Sequence, residues 1–129
     1  MAVSGTNLTK GIDTTAGTSA TTASVTPSAN RLILLTVASR RGDSIQPVAP
    51  TITGNSLTWV VVNEVDYDTS GTSRRHLTVF RALGASPTAG TIAIDFGAAT
   101  QSAIIWSVDE FSGADTSGAN GAGAIVQSA

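Results

Sequence analysis

Residues 31–39, Arg-Leu-Ile-Leu-Leu-Thr-Val-Ala-Ser, carry apolar side chains on both sides of an extended chain. Strand side chains alternate, so Leu32, Leu34 and Ala38 fall on one face and Ile33, Leu35 and Val37 on the other. A strand that is greasy on both faces is normally covered on both. A two-layer sandwich covers only one, so an arm, a loop or a neighbouring subunit is expected over the second. Ile33, Leu35 and Val37 are the first candidates for such a subunit contact. Ile125 and Val126, close to the C-terminus, are the second.

The rest of the chain repeats the theme at shorter length. Apolar segments alternate with clusters of Gly, Pro, Asn, Asp and Ser, and no stretch holds a helical period for three turns. Ala, Gly, Ser and Thr make up about half of the 129 residues. Threonine, stiffened at its branched Cβ, favours strands over helices. The pattern predicts a single all-β domain: a β-sandwich of about eight strands, of Greek-key or jelly-roll type, with extended terminal arms. Residues 1–19 read as an arm or edge strand, and residues 21–26 as an alternating segment with Ala23 and Val25 on one side. Residues 57–65 read as a strand whose Trp59, Val61 and Val65 share a face that Tyr67 continues. In 74–83, Leu77 and Val79 oppose His76, Thr78 and Phe80. Ile92, Ile94 and Phe96 point inward, as do Ile104, Trp106 and Val108, and a β-bulge at Asp109-Glu110 would bring Phe111 to the same side. Residues 112–123 read as a flexible linker, followed by a short terminal strand at 124–126.

Charge is sparse, with net −2 and one lysine, so no strongly basic face for nucleic acid is expected. Arg40-Arg41 and Arg74-Arg75 read as solvated strand ends or edge-strand charges. The absence of cysteine removes disulfides and thiolate metal sites. No segment has the length of a membrane span. Met1 to Thr6 lacks the basic start and apolar stretch of a secretory leader; with Met1 as the natural start, synthesis in the cytoplasm without export is expected.

Few residues suit chemistry. His76 is the single histidine and reads as a sheet-surface residue, not as a base or metal ligand. No Gly-x-Ser-x-Gly elbow accompanies the many serines. Asp109 and Glu110 are adjacent on a strand and should face opposite ways. Asp66, Asp68 and Ser70, ahead of Gly71, resemble the first half of a calcium loop, but Leu77 stands where the closing acid belongs, so a hairpin loop is the favoured reading. Trp59, Trp106, Phe80, Phe96 and Phe111 invite comparison with a sugar-stacking platform, yet their alternation points most of them to the core. No catalytic residue, cofactor or resident metal is expected.

Three segments carry a resemblance. Gly54-Asn55-Ser56-Leu57-Thr58-Trp59, Val79-Phe80-Arg81-Ala82-Leu83 with the turn at 84–90, and Trp106-Ser107-Val108-Asp109-Glu110-Phe111-Ser112-Gly113 resemble a loosely defined group of β-rich structural proteins of tailed bacteriophages and prophages. The likeness spans roughly residues 54–113 and describes strands and turns, so no functional residue carries over. It implies a non-enzymatic virion component, of the capsid decoration or tail-associated type, located in the virion. Its partners would be other copies of itself and a capsid or tail protein, with no nucleic acid and no membrane insertion. Members that continue past an ending like Ala124-Ile125-Val126-Gln127 imply closing strands supplied from elsewhere. An extracellular adhesin, filament subunit or carbohydrate-binding sandwich module is the alternative, and would need export.

Overall fold

A computed structural model describes residues 2–126. Eight strands follow one another: β1 (Ser4–Asp13), β2 (Ser19–Thr21), β3 (Leu32–Arg41), β4 (Thr51–Gly54), β5 (Val60–Asp68), β6 (Arg74–Ala82), β7 (Ile92–Asp95) and β8 (Ala103–Ser112). A 3-10 helix, Ala119–Ala124, comes last. The strands form two antiparallel sheets, one of five strands in the order β1-β8-β3-β6-β5 and one of three in the order β2-β7-β4. The fold is all-β, with the two sheets packed face to face.

The core lies between the sheets. Ile33, Leu35 and Val37 of β3, Phe80 of β6, and Ile104, Trp106 and Val108 of β8 meet Ala20, Ile52, Ile92 and Ile94 of the smaller sheet. Val25 and Phe96, just outside the strands, complete the cluster. This placement corrects the assignment of Ile33, Leu35 and Val37 to a subunit contact. All three are 1% exposed or less and are covered by their own chain. Of the two apolar faces of β3, the one with three large aliphatics packs on the second sheet. The face interrupted by Thr36 and ending in Ala38 is turned outward.

Several local expectations change. Residues 1–19 supply an edge strand, β1, with one bulge between Asn7 and Thr9. That bulge turns Leu8 toward the core, where it packs half-buried. Only residues 19–21 of the next segment form a strand. Val25 is buried beside Gly90, whereas Ala23 is exposed, so the two do not share an environment. Two bulges, between Val61 and Asn63 and between Asp66 and Asp68, break the expected common face of β5. No bulge occurs at Asp109-Glu110: β8 keeps an unbroken register with β3, which places Phe111 outward opposite Leu32. Residues 124–126 make no strand; Ile125 is the extended residue that ends the 3-10 helix.

The Gly54-Asn55-Ser56 segment is a structural staple. Gly54 has φ of 139°, and a Cβ there would lie 2.5 Å from the Thr91 carbonyl oxygen. Asn55, 4% exposed and left-handed, donates through Nδ2 to the carbonyls of Thr88 (2.9 Å) and Gly90 (3.2 Å). The turn after β4 is thereby tied to the loop before β7.

Trp106 anchors β1 to the sheet. It is 9% exposed, and a Cβ on Gly11, its cross-strand neighbour, would lie 2.3 Å from the indole. Glycine lets the edge strand close over the ring. Trp106→Ala should cost about 3–5 kcal/mol through the cavity it leaves. Gly11→Ala should cost roughly 1–3 kcal/mol through overpacking. Guanidinium unfolding of both variants tests this; an unchanged midpoint for Gly11→Ala would mean that the indole is not held against β1.

Candidate assembly interface

The side chains that resemble chemistry are committed to the fold. His76 is 6% exposed and lies on the inner side of β6, which replaces the expected surface position. Its Nδ1 donates to Asp66 Oδ1 at 2.6 Å, and its Nε2 lies 3.4 Å from Glu64 Oε2 without a hydrogen bond. Both carboxylates belong to β5, so the imidazole ties the edge strand to β6. The calcium reading fails on geometry. The bulge after Asp66 puts Asp66 on the side of His76 and Asp68 on the side of Arg75, while Ser70 lies in the following turn. Among the described residues no group of three metal-capable side chains converges. Asp109 and Glu110 do diverge. Asp109 accepts from Asn7 Nδ2 at 2.8 Å and from Ser107 Oγ at 2.8 Å, whereas Glu110 Oε2 accepts the Ser28 amide at 2.6 Å. Trp106, Phe80 and Phe96 are buried and Trp59 half-buried against the same core, so these aromatics make no exposed platform.

The outward face of the five-stranded sheet is what remains unexplained. Residues directly opposite in antiparallel pairs share a side of the sheet, so each pairing register extends into a rung across all the strands. One rung reads Ile12, Ile105, Ala38, Leu77, Val65 from β1 to β5. Every member is apolar. At about 4.8 Å per strand the rung is about 19 Å long. Ile12 is 61%, Ile105 47% and Val65 50% exposed. Ala38 and Leu77 are half-buried between them. A shallow groove beside this rung is lined by Lys10, Ile12, Thr36, Ala38, Ile105 and Ser107. It continues past Ala38 and Ile105 toward Thr14, Tyr67, Arg40 and Arg75.

The far end of the same face is covered by the chain itself. Leu32, Leu34, Phe111, Ala124 and Ile125 line one groove, and a Cβ on Gly121 would lie 3.0 Å from Leu32 and 3.3 Å from Leu83. The expected linker is therefore a folded cap on the protein's own sheet. Of the two C-terminal contact candidates, Ile125 is half-buried in this cap and Val126 is 96% exposed. Among the described residues the cap stops short of Thr36 and Ala38, which leaves the Ile12–Val65 rung open.

Cations border the open rung. The next rung contains Ala103, Arg40, Arg75 and Asp68. Among the described residues neither Arg40 nor Arg75 forms an ion pair. Their neighbour Arg41 does, with Asp43, whose carboxyl the guanidinium holds below the usual carboxylate range. The backbones of both free arginines are fixed. The Arg40 carbonyl accepts the Ser102 amide at 2.7 Å, and the Arg75 carbonyl accepts Gln46 Nε2 at 2.7 Å. Like charges directly opposite one another on a sheet are destabilising. In sequence these arginines are strand ends far apart, and only the β3–β6 register brings them together.

If the C-terminal cap is part of the monomer, deleting residues 114–129 should lower the thermal midpoint by several degrees. It should also raise binding of an apolar fluorescent dye as Leu32, Leu34 and Phe111 become uncovered. Unchanged stability with altered assembly alone would instead assign the segment to a neighbour. No family model, curated protein or solved structure matches this chain, so the assignment of the face rests on its own geometry.

Proposed function

We propose that this protein is a non-enzymatic assembly component that works by subunit contact through the outward face of its five-stranded sheet. The observation that carries the reading is the open apolar rung Ile12, Ile105, Ala38, Leu77, Val65. Burying such a surface is favourable by about 25 cal/mol per Å² of apolar area before the entropy of association is subtracted. No moving part or reacting group is required. The role is passive, and its specificity comes from the polar and charged residues that border the rung.

The finer reading is a virion protein of a tailed phage, a capsid decoration or other surface component that contacts its own copies and a capsid or tail protein. The resemblance of residues 54–113 supports it, as does a sheet face dressed for contact. A Greek-key or jelly-roll winding belongs to the same proposal. Its support is the repeated crossing of the chain between sheets, at every connection except β5 to β6. An extracellular filament subunit would use the same face in the same way.

Ile105→Asp tests the reading. The side chain is about half exposed, so the folded monomer should lose no more than roughly 1 kcal/mol. Assembly should weaken at least tenfold in sedimentation velocity or mass photometry. A wild-type chain that stays monomeric at high concentration, or an Ile105→Asp chain that assembles normally, overturns the proposal.

A further inference from the structure

Charge is divided unevenly between the outward face and the rest of the molecule. Lys10, Arg40, Arg75 and Arg81 occupy outward positions in the register, accompanied by Asp68 and Asp109. Four of the seven cationic side chains but only two of the nine carboxylates are therefore on this face. The face is net +2 in a chain of net −2, and all other surfaces together are net −4.

The opposite side of the β5 edge carries the complement. The five-stranded sheet is wider than the three-stranded one, and β5 is the strand left without cover. Val61, Glu64 and Asp66 pair with Phe80, Thr78 and His76, so their side chains lie on the inner side of the sheet. Val61 is nevertheless 42% exposed, and the side chains of Glu64 and Asp66 are 53% and 43% exposed. One apolar residue and two carboxylates thus form a ledge. The outward face offers an apolar rung and two unpaired arginines.

We infer that the occupant of the outward face is the β5 ledge of a second copy, so that the contact is heterologous and builds a ring or filament, not a twofold dimer. The inference rests on the assembly reading of the outward face. Twofold packing of that face on itself works against its charges. An axis along β3, the central strand, sets Arg40 over Arg40. An axis across the strands sets the arginine rung over the rung of Lys10, Ser107, Thr36, Val79 and Asn63, which offers no carboxylate. Placing Glu64 and Asp66 of one copy against Arg40 and Arg75 of another pairs opposite charges beside the apolar contact of Val61 with Ile105 and Ile12. A patch that meets a different patch on the next copy closes into a ring or grows into a filament.

Two variants of the full chain test this. Arg40→Gln with Arg75→Gln and Ile105→Asn disables the face without giving it carboxylates and leaves the ledge. Val61→Arg with Glu64→Arg disables the ledge and leaves the face. Circular dichroism and unfolding midpoints establish that each remains folded. Each variant alone should be monomeric, and their equimolar mixture should yield 1:1 dimers, because one intact face then meets one intact ledge. The unmodified chain should form species larger than dimers, and raising salt from 50 to 500 mM should weaken its assembly at least tenfold. That measurement needs no variant. A wild-type assembly that ends at a dimer, a mixture that does not associate, or assembly indifferent to salt overturns the inference. If Ile105→Asp still abolishes assembly in any of those cases, the outward face stands as the interface and only the identity of its occupant falls. A monomeric wild-type chain removes both.

Discussion

The β3 strand sets the terms for the rest of the molecule. It sits in the middle of the wider sheet, and its Ile33, Leu35 and Val37 pack in the core against the second sheet. Burying those three side chains commits the alternate residues Leu32, Leu34, Thr36 and Ala38 to the opposite face, since successive strand residues cannot point the same way. One side chain pattern therefore creates both the core and the surface that the core cannot cover.

The unequal width of the sheets does the rest. Three strands cannot roof five, so among the described residues β5 is largely exposed on both sides and no second sheet covers the outward face of the large one. The chain covers one end of that face with its own 3-10 turn. What remains is apolar in the middle and cationic at its border, with the edge strand beyond it acidic. A protein sparing in charge has separated the charge it has. That separation is the physical basis for reading the surface as built for contact, and for reading the contact as directional.

The groups that resemble catalytic or metal-binding chemistry fasten parts of the fold. His76 joins β6 to the bulged edge strand through Asp66, Glu110 holds the loop that enters β3, and Asn55 ties two turns together. Each satisfies a polar group at a place where the sheet ladder ends or is interrupted, where unpaired buried groups are costly.

Alternation alone made much of this legible. The sides taken by Ile92 and Ile94, by Ile104, Trp106 and Val108, and by His76, Thr78 and Phe80 follow from a period of two, as does the double greasiness of residues 31–39. Sequence could not say which greasy side of β3 is inside, because that depends on where the second sheet lands. It also missed the bulges of β5 and the cap at residues 119–124, since a bulge is decided by pairing partners and the cap by a long-range contact with Leu32 and Leu83. The apolar rung and the Arg40–Arg75 pair lay in plain view as residues but not as a site. Their members come from strands up to 93 positions apart, Ile12 and Ile105 among them, and only the register of five strands places them side by side. Local pattern determines which way each side chain points; tertiary pairing decides which side chains become neighbours, and a surface is made of neighbours.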